Sequence, residues 1–357
     1  MKMRPVNETE LAEAIRGAEG PLRIVGGGTR GIGAASGQVL ETAGLAGISL
    51  YEPGALTLVA GAGTPLAEVE AVLAREGQRL PFEVPDMRGL LGQAGVSTLG
   101  GVVAVNASGP RRVQVGACRD SLIGVRFVDG RGCVIKNGGR VMKNVTGYDL
   151  VKLMAGSWGT LGVLSEVAFK VQAVPEAEAS LCAPMGMAAG VVAMAGAMGS
   201  PFDLSGAAWI GGEVRLRVEG MAGSVRYRSG ALAGHLGGEW RVVTGDASAA
   251  LWREVRDVGP FVGRAGDVWR VSVKPSDAVA LMAGLEAEVM LDWGGGLVWV
   301  LGEVDMHSRV AALGGHATRL RGAGPVFQPE HAAVAALTAG LRAQFDPRGI
   351  LNVGMMG

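Results

Sequence analysis

Apolar positions along this chain recur in two periods, and the alternation between them outlines its elements. Residues 7–18 carry Leu11, Ala14, Ile15 and Ala18 at helical spacing, with Asn7 or Thr9 as candidate N-caps, which predicts a short amphipathic helix. The run Leu22-Arg23-Ile24-Val25 predicts a strand that ends in glycines, and residues 45–50 and 57–60 read as two more, bounded by Gly and Pro. Leu66, Val69, Val72 and Leu73 restore the helical period over 65–76, before a loop with Pro81 and Pro85. Residues 123–129 and 132–136 predict a strand pair turning at Asp129-Gly130-Arg131-Gly132. A short helix around 150–155 and a strand over 163–171 follow.

The texture changes after Pro175. Strand-like runs (214–218, 269–273, 297–301) interleave with helix-like ones (223–235, 276–285, 307–313), which predicts an α+β arrangement with helices on one sheet face. Residues 330–345 form a last helical stretch, stopped by Asp346-Pro347-Arg348-Gly349. The expected organisation is a first domain over 1–175, a smaller α+β domain over 176–330, and a segment 331–357 that returns to the first.

Composition narrows the function classes. The 357 residues suffice for two domains with sizeable cores. Formal net charge is zero with Lys and Arg scattered, so no electrostatic footprint for nucleic acid exists. Three cysteines, Cys118, Cys133 and Cys182, stand far apart without a C-x-x-C, which argues against a disulfide framework and against a local zinc or iron–sulfur site. The first eight residues lack the apolar core of a secretory signal, and the small-residue run 185–198 is too short to span a bilayer. A cytoplasmic protein without a membrane span is the expectation.

The 60 glycines are unusually many, and two clusters of them carry the chemistry. The first is Gly26-Gly27-Gly28-Thr29-Arg30-Gly31, directly after a predicted strand. The second is Thr98-Leu99-Gly100-Gly101, followed by Asn106-Ala107-Ser108-Gly109. Each is a place where backbone N–H groups can approach an anionic ligand with no side chain between. An ordinary turn would explain either cluster alone; two suggest an elongated dinucleotide held at both ends. The first cluster satisfies G-x-G-x-x-G, and Glu52 stands roughly where a ribose-binding acid would in a Rossmann unit. The crossover segment that this reading demands would contain Gly33, Gly37, Gly44 and Gly47, each costing about 1 kcal/mol in a helix interior. A phosphate-binding loop between two strands fits better.

The ordered pattern Leu-Gly-Gly, Asn-Ala-Ser-Gly, Gly116 and Asp120 closely resembles the FAD-binding domain of the vanillyl-alcohol-oxidase/PCMH flavoprotein superfamily. Gly147-Tyr148-Asp149, then Gly156-Ser157-Trp158-Gly159-Thr160-Leu161-Gly162-Val163, is similar to its late FAD-binding strand and turn. Phe345-Asp346-Pro347 and Ile350-Leu351-Asn352 are similar to its C-terminal return segment, although Val353 replaces a usual Pro and weakens any specific role for Asn352. Within the superfamily the likeness is to the short FAD-binding subunits of bacterial glycolate oxidase complexes. Trp158 stands where longer subunits commonly have Glu.

That resemblance implies a PCMH-type domain of two α+β subdomains, followed by a cap-like α+β domain. It implies FAD held by Gly26, Gly27, Gly28, Thr29 and Arg30; by Thr98, Leu99, Gly100 and Gly101; by Asn106, Ala107, Ser108, Gly109, Gly116 and Asp120; and by Gly159, Thr160, Gly162 and Val163. It further implies a small 2-hydroxy acid substrate, a larger FAD-binding catalytic subunit and an iron–sulfur subunit as partners, and a peripheral place at the inner membrane through them. The rival functions are a self-sufficient 2-hydroxy-acid dehydrogenase and a non-catalytic assembly subunit.

Attachment of FAD is expected to be non-covalent. The first loop has no His, and Cys118 reads as a small buried thiol. Oxidising a 2-hydroxy acid takes a base, a hydride acceptor and cations for the carboxylate. The four His, at 235, 307, 316 and 331, form no metal-binding pattern. His316, in what reads as a Gly-Gly-His-Ala-Thr turn, is the catalytic candidate, with a structural His as the alternative. Arg319 and Arg321 could hold a carboxylate or simply decorate a surface. Asn144 and Tyr148 could line the flavin site, and Tyr148 could equally be a core aromatic. Asp120 is expected to tie down its own loop.

Overall fold

The computed structural model describes residues 2–33, 35–139 and 147–356. Three layers follow one another along the chain. In the first, Leu22–Val25 pairs in parallel with Gln38–Glu41, and the helix Glu8–Arg16 packs beside them, capped by the Asn7 side chain. Leu11, Ile15, Leu22 and Leu40 form its core. The chain end closes this layer: Leu22 N donates to Ile350 O, and Asn352 N donates to Leu22 O. Among the described residues 32–44 there is no α-helix, so the Rossmann crossover does not form.

The second layer is an antiparallel sheet in the order Ile48–Glu52, Thr57–Gly61, Val163–Lys170, Leu122–Val128, Val134–Gly138. Helices Leu66–Arg75, Leu99–Ala104 and Leu150–Met154 bury Val69, Leu73, Val102, Val103 and Met154 against Phe127, Val167 and Phe169. Two expectations shift here. The run 45–50 is not one strand, because Gly47 at φ +121° breaks it and pairing starts at Ile48. The second glycine cluster is not a loop throughout: Thr98 caps a helical turn that begins at Leu99.

The third layer is an antiparallel sheet in the order Arg241–Thr244, Ala177–Pro184, Glu213–Gly220, Leu204–Ile210, Glu288–Asp292, Leu297–Leu301, Val268–Ser272, His316–Arg321. Leu216, Val218, Trp269, Val271, Leu291, Val298 and Val300 face one side, under helices that include Met187–Met198 and Ala222–Leu236. The expected one-sided covering is corrected, because Gly245–Arg256 brings Trp252 and Val255 to the other face, against Met290, Trp299 and Leu90. The expected helix at 276–285 is only a 3-10 turn and Ala278–Met282, stopped before Gly284 at φ +71°. Strands such as Ala177–Pro184 and His316–Arg321 escape sequence reading because small and charged residues fill them; ladder partners, not propensity, make them strands.

A buried ionic network joins the third layer to the second. Arg217 donates twice to Glu83 (2.8 and 3.0 Å) and stacks over Trp252. Arg111 and Arg79 both donate to Glu219, at 3.0 and 2.9 Å. The Arg217, Arg111 and Glu219 side chains are almost wholly buried, so these charges are compensated pairs across the junction.

Candidate functional site

The two glycine clusters meet at a cavity of about 330 Å³. Gly26, Gly27, Gly28, Thr29 and Arg30 line one wall, and Thr98, Gly100 and Gly101 the next. Gly159, Gly162 and Val163 complete it, with Asn352 at the rim. Close approach explains the glycines: a Cβ on Gly27 would collide with the Val96 carbonyl, and one on Gly26 would reach 2.6 Å from the Thr98 hydroxyl. Gly28 sits at φ +74°, a backbone that L side chains rarely adopt.

The donor set suits an anionic cofactor. Among the described residues no hydrogen bond uses the N–H groups of Gly27, Gly28 or Thr29. Backbone donors in a cavity demand a partner, and consecutive free N–H groups form the nest that a pyrophosphate fills. Arg30 is committed elsewhere: it donates to Ser97 Oγ (2.8 Å) and to the Pro85 carbonyl (3.0 Å), and burial lowers its pKa to about 10. It braces the cavity wall through the chain rather than offering a free charge.

Other expected residues lie further along. Leu99 is buried beneath the cavity, and Thr160 donates to the Ser157 carbonyl. Asn106, at φ +47°, accepts from Arg119 N, Ala107 is buried, and Ser108 accepts from Arg112 Nη1 (3.3 Å). Gly109 packs against Glu83, where a Cβ would lie 2.8 Å from that side chain. Asp120 accepts from Ala117 N and closes its own loop beside Gly116 at φ +80°. Of these six, Gly109 borders the third layer, where its carbonyl accepts from Trp293 Nε1.

Several readings change. His316 is not in a turn; it opens the strand His316–Arg321, opposite Ser272, and is absent from the glycine-lined cavity. Burial lowers its pKa, helped by Arg270 and Arg112, although its surface remains open to solvent. Arg319 pairs with Asp267 and stacks over Trp269, and Arg321 donates to the carbonyls of Gly266 and Leu90. Tyr148 is exposed and is not a core aromatic. Asn144 lies outside the described residues. Cys118 is buried, and burial pushes its thiol up.

Asn352 is the residue that sequence reasoning undervalued. Its Oδ1 accepts from Ile24 N (2.7 Å), and its Nδ2 donates to the Trp158 carbonyl (2.6 Å). The chain end thereby bolts the first glycine strand to the Trp158-Gly159 turn, where Trp158 takes φ +54°. The Ile-Leu-Asn motif was the available signal. No group of three or more potential metal ligands occurs among the described residues.

A family model described as "FAD binding domain" matches residues 2–138. Fold and sequence likeness define an FAD-binding oxidoreductase with a PCMH-type domain. The glycolate oxidase subunit GlcE of Escherichia coli (strain K12) is 37% identical over 325 residues, covering 90% of this chain and 87% of that protein; the chain belongs to this family. The glycolate oxidase subunit GlcD of Bacillus subtilis (strain 168) is 41% identical over 88 residues, 25% of this chain and 19% of that one. Alkyldihydroxyacetonephosphate synthase shares the fold with a TM-score of 0.70 at 15% identity, over 98% of this chain and 76% of that one. No described helix is long and apolar enough to cross a membrane.

Proposed function

We propose that this chain is the FAD-carrying subunit of a glycolate oxidase complex and takes part in oxidising glycolate to glyoxylate. The carrying observation is the chain-long likeness to GlcE, joined to a glycine-lined cavity where the N–H groups of Gly27, Gly28 and Thr29 lack partners among the described residues. In this reading residues 1–175 and the returning segment 331–357 hold FAD, and 176–330 cap it. Residues 26–29 and 98–101 take the pyrophosphate, 106–109, Gly116 and Asp120 shape the adjoining wall, and 159–163 face the flavin side. Bound FAD supplies the hydride acceptor. His316, kept neutral by its surroundings, is suited to accept a proton. A larger flavoprotein subunit and an iron–sulfur subunit work beside it in the cytoplasm, peripheral at the inner membrane.

The test is spectroscopic and then kinetic. The purified chain is expected to show flavin absorption with FAD released on denaturation. The complex assembled with its partner subunits is expected to bleach with glycolate, and omission of this chain to abolish turnover. A colourless chain that takes up no added FAD overturns the reading.

A further inference from the structure

Arginines at the junction between the second and third layers differ in how they are partnered. Arg79, Arg111, Arg217 and Arg256 each meet a carboxylate within 3.0 Å. Arg112 and Arg270 meet none. Arg112 has one hydrogen bond, to Ser108 Oγ, and Arg270 has no side-chain hydrogen bond or ion pair among the described residues. Instead both guanidinium groups rest on the ring of Trp293, with Cζ at 4.6 and 5.1 Å from its centroid. Two like charges on one ring repel, and partial burial removes the water that would screen them. Such an arrangement needs an anion to complete it.

The platform beneath them is purpose-built. Trp293 takes φ +54°, a costly conformation for a bulky side chain, and is held there from both layers. Asp292 Oδ1 accepts from Trp293 N (2.7 Å), and Trp293 Nε1 donates to the Gly109 carbonyl (3.0 Å). Burial pushes Asp292 up to about 7, and it makes no ion pair with Arg270 among the described residues. His316 joins the same face: it opposes Ser272, two residues from Arg270 on the strand Val268–Ser272. The cluster continues the glycine cavity along the chain, since Ala104 and Val105 line that cavity and Ser108 and Gly109 anchor Arg112 and Trp293.

We propose that Arg112 and Arg270, carried on Trp293 and flanked by His316, form the subsite that takes the carboxylate of a small 2-hydroxy acid. One guanidinium comes from each side of the junction, so the subsite exists only when the layers are docked. Two planar forks can clamp one carboxylate, which gives charge and orientation together. The inference rests on the hydroxy-acid reading above and names the residues that would recognise the acid.

The probe is oxalate, a small carboxylate with no hydride to give, titrated against the FAD-loaded chain by calorimetry, with inorganic phosphate as the comparator. Glycolate turnover is measured in parallel on the assembled complex. Oxalate is expected to bind, and R112Q and R270Q each to weaken it at least ten-fold with FAD content and melting temperature retained. R270K is expected to recover part of that loss. In the complex, both Gln variants are expected to raise the KM for glycolate. Oxalate affinity unchanged in the Gln variants, absent in the wild-type chain, or matched by phosphate overturns the subsite. If the complex still needs this chain for glycolate turnover, the functional reading survives that result. An intact complex that turns over glycolate without the chain fails the functional reading instead.

Discussion

The glycine cavity, between the first and second layers, and the junction between the second and third are built in opposite ways. Around the glycine cavity the backbone N–H groups of Gly27, Gly28 and Thr29 are unpartnered among the described residues, and the nearby cation, Arg30, is spent on Ser97 and Pro85. At the junction the recognising groups are side chains, Arg112 and Arg270, on an aromatic platform. Backbone recognition depends on the absence of side chains and tolerates no Cβ. Side-chain recognition depends on charge and tolerates changes in the turns around it. The two kinds of site should therefore fail differently.

The sharpest test of that contrast is Gly27→Ala. Its Cβ would collide with the Val96 carbonyl, which is backbone and cannot step aside, so the variant is expected to lose bound FAD altogether. The ratio of flavin to protein absorbance checks it. Next is Glu83→Gln, which leaves the buried Arg217 without its bidentate partner and should cost about 3 kcal/mol. Because the pair spans the junction, thermal unfolding should split into two transitions while FAD stays bound.

Asn352→Ala removes two hydrogen bonds that tie the first glycine strand to the Trp158 turn. A loss of about 1–3 kcal/mol in stability, with weaker FAD retention, is expected in melts and cofactor titrations. The last prediction concerns pH. Asp292, which faces Glu83, Arg217 and Arg270, has its pKa raised by burial to about 7, above the unfolded value. Its contribution is therefore complete at low pH and lost as pH rises through about 7. Denaturant midpoints should fall more between about pH 4 and pH 7 in the wild type than in Asp292→Asn. An equal slope in both would remove Asp292 as the source.

The same difference in chemistry explains what could be read in advance. The glycine cavity was legible because its constraints fall on single backbone positions: Gly26 and Gly27 must be glycine where they approach Thr98 and Val96, and Gly28 because it takes φ +74°. The PCMH-type fold followed from the order of those clusters and is borne out by the family match. Asn352 was visible as a motif but not as a bolt, since its partners Ile24 and Trp158 are remote in sequence. His316 was misplaced in a turn because His-Ala-Thr-Arg-Leu-Arg has no strand-like pattern; the edge pairing with Val268–Ser272 makes it one.

By itself, then, the sequence determined the FAD cofactor and the family of the fold, and it marked the backbone positions where only glycine fits, because steric exclusion at a backbone is written residue by residue. Only the tertiary structure decided which arginines are spent and which are free. Arg111 and Arg112 are neighbours in the chain, yet one is buried against Glu219 and the other lies over Trp293. Charge compensation depends on what a side chain meets across a junction, and no local pattern encodes that.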